Sequence, residues 1–221
     1  MPILIVLKNI SPVASPRDPS DDLTHADRLA AGLAADWASE NTREAIWDAL
    51  MRKEVFATTG TWMRVRVFAG FDFVKDDLTR SDFAKYGHAN GVPMGGNLDA
   101  GDQATGAIFL VGALRDPNGA NLDRIQIVKA WMTDSGELNE QVFDVVWSDD
   151  RVLDDDKKLP PVGNTVDVET ATYRNSIGAP FLEAFWEDPE FDKKANVHFI
   201  MYAFLKSRPR VGQLLTLWSS G

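Results

Sequence analysis

Chemistry in this chain has few side chains to work with. Its histidines are His25, His88 and His198, and no two stand at the H-x-H or H-E-x-x-H spacing that turns two ring nitrogens toward one metal ion. A structural role is therefore the reading for each. Cysteine is absent, which removes thiolate nucleophiles, disulfides and cysteine metal sites together. No G-x-S-x-G elbow singles out a serine, so a Ser-His-Asp triad has no sequence signal behind it.

Asp149, Asp150, Asp154, Asp155 and Asp156 gather carboxylates of the kind hard cations favour, but not at EF-hand spacing. Lys157 and Lys158 follow directly, and a solvated loop is the better reading. Trp131, Trp147 and Trp186 are candidates for a sugar-binding face, weighed against the commoner fate of strand aromatics, burial in a core. The run Gly91-Val92-Pro93-Met94-Gly95-Gly96 offers backbone for an anion nest but lacks a phosphate-loop lysine and G-x-G-x-x-G spacing, so a turn is expected. Arg43, Glu54 and the Thr58-Thr59-Gly60 turn are candidates to face a ligand at a sheet end. Capping, a surface ion pair and a tight turn explain them equally well.

Charge narrows the partners. A formal net charge of −10 opposes the phosphate neutralisation on which nucleic-acid binding rests. The apolar share of 44% is ordinary for a globular core. The apolar run Ile3 to Leu7 is shorter than a signal-peptide core, and nothing else reaches the length of a membrane span, so a soluble chain with no address is expected.

The elements that must position these residues centre on Asn41 to Gly70. Asn41 with Glu44 three residues on reads as a helix start, and Ile46, Trp47, Leu50 and Met51 as its buried face. Arg52 and Lys53 fall where cations suit the helix C-terminus. From Trp62 the period changes to two, with Met63, Val65 and Val67 on one face and Arg64 and Arg66 on the other. Upstream, a strand at Ile3 to Leu7, a proline-rich loop and a helix over Thr24 to Trp37 are expected. Downstream, a short helix from Ser81 to Tyr86 should stop at Gly87.

Strands then follow over Ala107 to Leu114, Asp123 to Trp131, Gln141 to Trp147 (Phe143, Val145 and Trp147 sharing a face) and Thr165 to Tyr173. Asp116-Pro117-Asn118-Gly119 and Asp134-Ser135-Gly136 are turn signals between them. Tight turns in place of crossover helices predict a mainly β (α+β) fold: an antiparallel, sandwich-like sheet with one or two N-terminal helices. Any domain break should lie near Gly60.

Four stretches, GLAADWASENTREAIWDALMRKEVFATTG, GVPMGGNL, ALRDPNGANLDRIQIVKAW and NTVDVETATYRNSIGAPFLEAFWEDPEFD, resemble the C-terminal part of a bacterial family known as domain of unknown function number 3604. The likeness covers about Gly32 to Asp192. That family is similar to PHP-type metal-dependent hydrolases, a distorted (β/α) barrel with His and Asp ligands followed by a β-rich extension. The resemblance implies an unmatched segment over 1–31, a helical seam over 32–60 at the end of a barrel and the extension over 61–196. The barrel itself is expected to be missing, and no catalytic, metal or cofactor residue carries over. Beyond about Lys194 the text departs from the family, and a shifted reading frame is the expectation for residues 197–221, where the apolar run Val197 to Leu205 can still add an edge strand.

The functional expectation is a non-catalytic fragment or remnant of a PHP-like hydrolase family, without cofactor. An exposed apolar face would serve self-association or a missing-barrel partner. The alternative is a free-standing β-sandwich module binding a sugar or a protein. A third reading needs a divalent metal at His or Asp clusters.

Overall fold

Period-two patterning across the second half of the chain closes into two antiparallel sheets packed face to face. The computed structural model describes residues 3–8, 32–58, 60–100, 106–133, 135–167, 172–192, 197–205 and 213–219. The elements are β1 (Ile3–Lys8), β2 (Leu33–Ala38), α1 (Arg43–Met51), β3 (Val55–Thr58), β4 (Arg64–Gly70), a 3-10 turn (Lys75–Thr79), α2 (Phe83–Asn90), β5 (Val92–Pro93) and β6 (Ile108–Leu114). They continue with β7 (Leu122–Met132), β8 (Leu138–Trp147), β9 (Val166–Asp167), β10 (Thr172–Tyr173), β11 (Phe181–Glu187), β12 (Val197–Leu205) and β13 (Gln213–Ser219).

One sheet of seven strands has the order β1-β2-β3-β13-β12-β7-β8, and the other, of four, the order β11-β6-β4-β5. Every pairing is antiparallel. The mainly β, antiparallel fold read from the turn spacing is the one formed.

Between the sheets lies the main core. Phe56, Leu122, Ile125 and Ile127 of the larger sheet meet Val65, Val67, Phe109, Val111 and Leu182 of the smaller. Both outer faces carry a helical layer. Phe68, Ile108 and Leu110 point the other way from the smaller sheet and are covered by Phe73, Leu78, Phe83 and Tyr86. On the outer face of β2, Ala38 packs against Ala45 and Ala49 of α1. Because β4 is covered on both faces, Arg66 is buried with only 7% of its surface exposed, and is not the solvent-facing residue that alternation suggests.

Several elements differ from the sequence reading. Residues 33–38, the end of the expected helix at Thr24 to Trp37, form β2 between β1 and β3, where strand pairing prevails over four-residue apolar spacing. The rest of that helix, and His25, lie outside the described residues. Helix α1 is capped by Thr42, whose Oγ1 accepts from Ala45 N at 3.3 Å, and not by Asn41. Its end is a Schellman turn: Glu54 N donates to Ala49 O at 3.1 Å and Lys53 N to Leu50 O at 3.0 Å, with Lys53 at φ 59° where glycine is usual. Arg52 and Lys53 therefore follow the helix and do not sit in its last turn.

Helix α2 runs through Gly87 to Asn90 and is not stopped there, because Gly87 lies against the Phe68 ring, where a larger side chain would collide. Thr165 to Tyr173 is no single strand: β9 and β10 pair with each other as a small ladder. In β8 a bulge shifts the register between Ile125–Val146 and Gln126–Asp144, so Trp147 leaves the core-facing side that Phe143 occupies. Finally, β12 is not an edge strand but sits inside the larger sheet, between β13 and β7.

Candidate functional site

The most concentrated polar chemistry lies at the seam where α1 hands over to the sheets. Directly after the Schellman turn, Glu54 is carried inward, and its residue is 1% exposed. Arg66 Nη2 reaches Glu54 Oε1 at 2.7 Å, His88 Nε2 stands 3.2 Å from the same oxygen, and Arg52 Nη2 lies 3.4 Å from Oε2. Five elements or their ends thus meet: the end of α1, the start of β3, β4, α2 and β2. Trp37 of β2 closes the group, donating Nε1–H to Val65 O at 2.9 Å along the edge of β4 that short β5 leaves free. The Arg66 guanidinium lies 4.5 Å from the Trp37 ring centroid and 5.0 Å from that of Phe68, a doubly stacked cation.

Burial pushes the Glu54 carboxyl up, but the approach of His88 and the charges of Arg66 and Arg52 outweigh it and leave it below the usual carboxylate range. Burial also lowers Arg66, an effect that Glu54 partly opposes. His88 Nε2 is shared: it lies 2.7 Å from Arg66 Nη2 as well as 3.2 Å from Glu54. One ring nitrogen cannot accept from Arg66 and donate to Glu54 at once, so the tautomer decides which bond is made. Arg66 Nε and Nη1 are buried with no acceptor among the described residues.

Asp36, on the β2 face that carries Ala38, is fully buried and neither carboxylate oxygen has a hydrogen-bond partner among the described residues. Burial raises it, opposed in part by Arg52. Glu54 and Asp36 are therefore two buried acids driven in opposite directions by their surroundings.

Beside the cluster, the outer face of the smaller sheet is only half covered by its helical layer. The uncovered half is a groove of about 290 Å³, with Arg64, Arg66 and Arg80 around Gly112, Leu114 and Phe181, and Glu183 at one side. A second hollow, of about 690 Å³, runs along α1 past Thr42, Arg43, Ile46, Trp47 and Leu50. Here the helix is inverted relative to its apolar pattern: Ala45 and Ala49 face the sheet, while Trp47, Leu50 and Met51 are 60%, 39% and 63% exposed.

The other candidates resolve into scaffold. Asp154 organises its own loop, with Oδ1 accepting from Asp156 N and Lys158 N, and Asp149 Oδ2 accepts from Gly178 N. Among the described residues no three of His, Asp or Glu converge as metal ligands. The three tryptophans have separate surroundings: Trp186 packs on Phe109 and Phe143, Trp147 donates to Arg151 O, and Trp131 stands beside Lys129. Of the run Gly91 to Gly96, Val92–Pro93 is strand β5 and Pro93 to Gly96 a turn, with Gly95 at φ +83° and Gly96 N donating to Pro93 O. Glu54 is no surface ion pair, and Arg43 is exposed at the start of α1. Thr58 Oγ1 donates to Thr61 O at 2.7 Å, holding its turn as structure.

Sequence reasoning passed over Lys129, which is buried in the sandwich and donates to both oxygens of Asp188, at 3.0 and 2.8 Å, and to Glu190 O. It also passed over Asn121, whose Nδ2 serves the carbonyls of Asn175, Ile177 and Gly178. That contact joins two of the motif-bearing stretches, around DPNGAN and YRNSIG, at one end of the sandwich.

Fold and cluster define a mainly β protein of the antiparallel sandwich class with short helical layers. The chain belongs to the family described as protein of unknown function, DUF3604, whose family model matches residues 8–211. No curated protein and no solved structure matches it. Among the described residues no helix is long and apolar enough to cross a membrane.

Proposed function

We propose that this chain is a non-catalytic β-rich module, a remnant of a family related to PHP-type metal-dependent hydrolases, which docks through the outward face of α1. The observation that carries this reading is the inversion of that helix. Its small residues are spent on the sheet, and its large apolar ones, Trp47, Leu50 and Met51, stand in solvent beside an open hollow. Exposed apolar surface gathered on one element marks an interaction site. The resemblance supplies the partner, the barrel that would meet this helix at the seam.

The test is co-purification of the chain with the product of a barrel-encoding frame from the same locus, followed by light scattering. A stable complex supports the reading. A chain that stays monomeric and ignores that barrel overturns it, as does metal-dependent phosphoesterase or esterase turnover by the chain alone. The proposal extends to the tail: a frame shift near Lys194 to Asn196 requires codons that give the family's text one base earlier. The gene's nucleotide sequence decides that point.

The binding-module alternative keeps one supporting observation, the open groove on the smaller sheet. Its sugar-face form draws less support, since Trp131, Trp147 and Trp186 have separate surroundings.

A further inference from the structure

We propose that the groove on the outer face of the smaller sheet is a binding site for a small amphipathic carboxylate, a monoanion with a flat apolar body. It is independent of docking through α1. Two cross-strand rows build it: Arg66, Gly112 and Glu183 stand in register on β4, β6 and β11, and Arg64, Leu114 and Phe181 in the next row on that face. Glycine in the middle of the first row opens the floor. The nearest atom a Cβ there would meet is a Phe181 ring carbon at 3.8 Å. Leu114 and Phe181, 40% and 48% exposed, supply apolar walls that the helical layer leaves uncovered. The volume of about 290 Å³ sits at the lower end of the roughly 300–1,000 Å³ usual for small-molecule sites.

Charge selects the ligand's head. Three guanidiniums and one carboxylate surround the groove in a chain of net charge −10. Arg80 is committed to Asp82, at 2.9 and 3.2 Å, and Arg66 to Glu54. Among the described residues Arg66 spends only Nη2 on its partners, and Nε and Nη1 are buried without acceptors, so a fixed positive charge lies beneath the floor. Arg64 is exposed and has no ion-pair partner among the described residues, which makes it the accessible donor for a carboxylate. With two of the three cations already paired and Glu183 opposing, the site suits a single negative charge and disfavours a phosphate dianion.

Calorimetric titration of the full chain with 2-naphthoate and its neutral counterpart 2-naphthylmethanol tests this. Naphthoate should bind about tenfold or more tightly than the alcohol, as one charge-assisted hydrogen bond implies. Arg64→Ala, an exposed change, should erase that preference, and Glu183→Gln should tighten naphthoate several-fold. Gly112→Leu, which fills the floor, should abolish binding of both probes. No binding, equal binding of the two probes, an undiminished preference in Arg64→Ala or no gain in Glu183→Gln would overturn the proposal. So would full binding by a folded Gly112→Leu protein, which would put the site elsewhere.

Discussion

Glu54 and Asp36 enclose opposite electrostatic bargains within one seam, and pH separates them. Glu54 has its pKa lowered in the fold, so its contribution is present above the ordinary value of 4.5 and is lost as pH falls through the folded value. Glu54→Gln should destabilise by about 3–5 kcal/mol at pH 7, because it leaves Arg66 buried without its counter-charge. In thermal melts that deficit should shrink below about pH 4.5. Asp36 is raised, so its contribution is complete below the ordinary value of 3.8 and is lost as pH rises through the folded value. Asp36→Asn should raise the melting temperature at pH 7, with the gain vanishing toward pH 3.8. A gain that grows on acidification would contradict the burial of an unpartnered carboxylate. Lys129 gives a further residue-level outcome: Lys129→Ala, stranding Asp188, should cost about 3–5 kcal/mol in denaturant unfolding, whereas loss of an exposed pair is worth about 0–1 kcal/mol. None of these partners was legible in the sequence. Glu54 and Arg66 are 12 residues apart and His88 a further 22, and only the approach of α2 to β4 brings them together.

At the scale of elements, legibility followed how local the cause was. Turns such as Asp116-Pro117-Asn118-Gly119, closed by Gly119 N to Asp116 O at 2.9 Å, are fixed by their own residues and stood in the sequence. Strands β6 and β7 did as well: β6 is a continuous apolar run because both its faces are covered, and β7 alternates because one face meets the opposite sheet. Helix boundaries failed where a tertiary contact overrides propensity, and Gly87 is the sharpest case. Propensity alone says that Gly87→Ala, inside α2, should stabilise by about 1 kcal/mol. Its methyl would instead overlap the Phe68 ring, so the expected outcome is a net loss of about 1–3 kcal/mol, as overpacking brings. Chemical denaturation of the two proteins decides the sign. A stabilised variant would mean that α2 does not lie against β4 as closely as the structure places it.

At the scale of the whole molecule, the layer order is helix, sheet, sheet, helix, and the two helical layers are used differently. On the smaller sheet, α2 and the 3-10 turn bury large aromatics, whereas α1 meets β2 mainly through alanines, with half-buried Ile46 beside them. The sequence made the amphipathic pattern of α1 legible but not which side faces in, because periodicity marks an apolar stripe without saying what covers it. Since Trp47 and Met51 are mostly exposed within the chain, replacing both with lysine removes little intramolecular packing. The double variant Trp47→Lys, Met51→Lys should therefore melt within a few degrees of the parent, as surface changes of about ±0.5 kcal/mol do. The same variant should lose association measured by light scattering or by barrel co-purification, because two cations placed in an apolar interface must be desolvated without partners. Unchanged melting with lost association locates the interface on α1. A large drop in melting temperature would instead show that this face is packed within the chain itself, and the inverted helix would cease to be an argument for a partner.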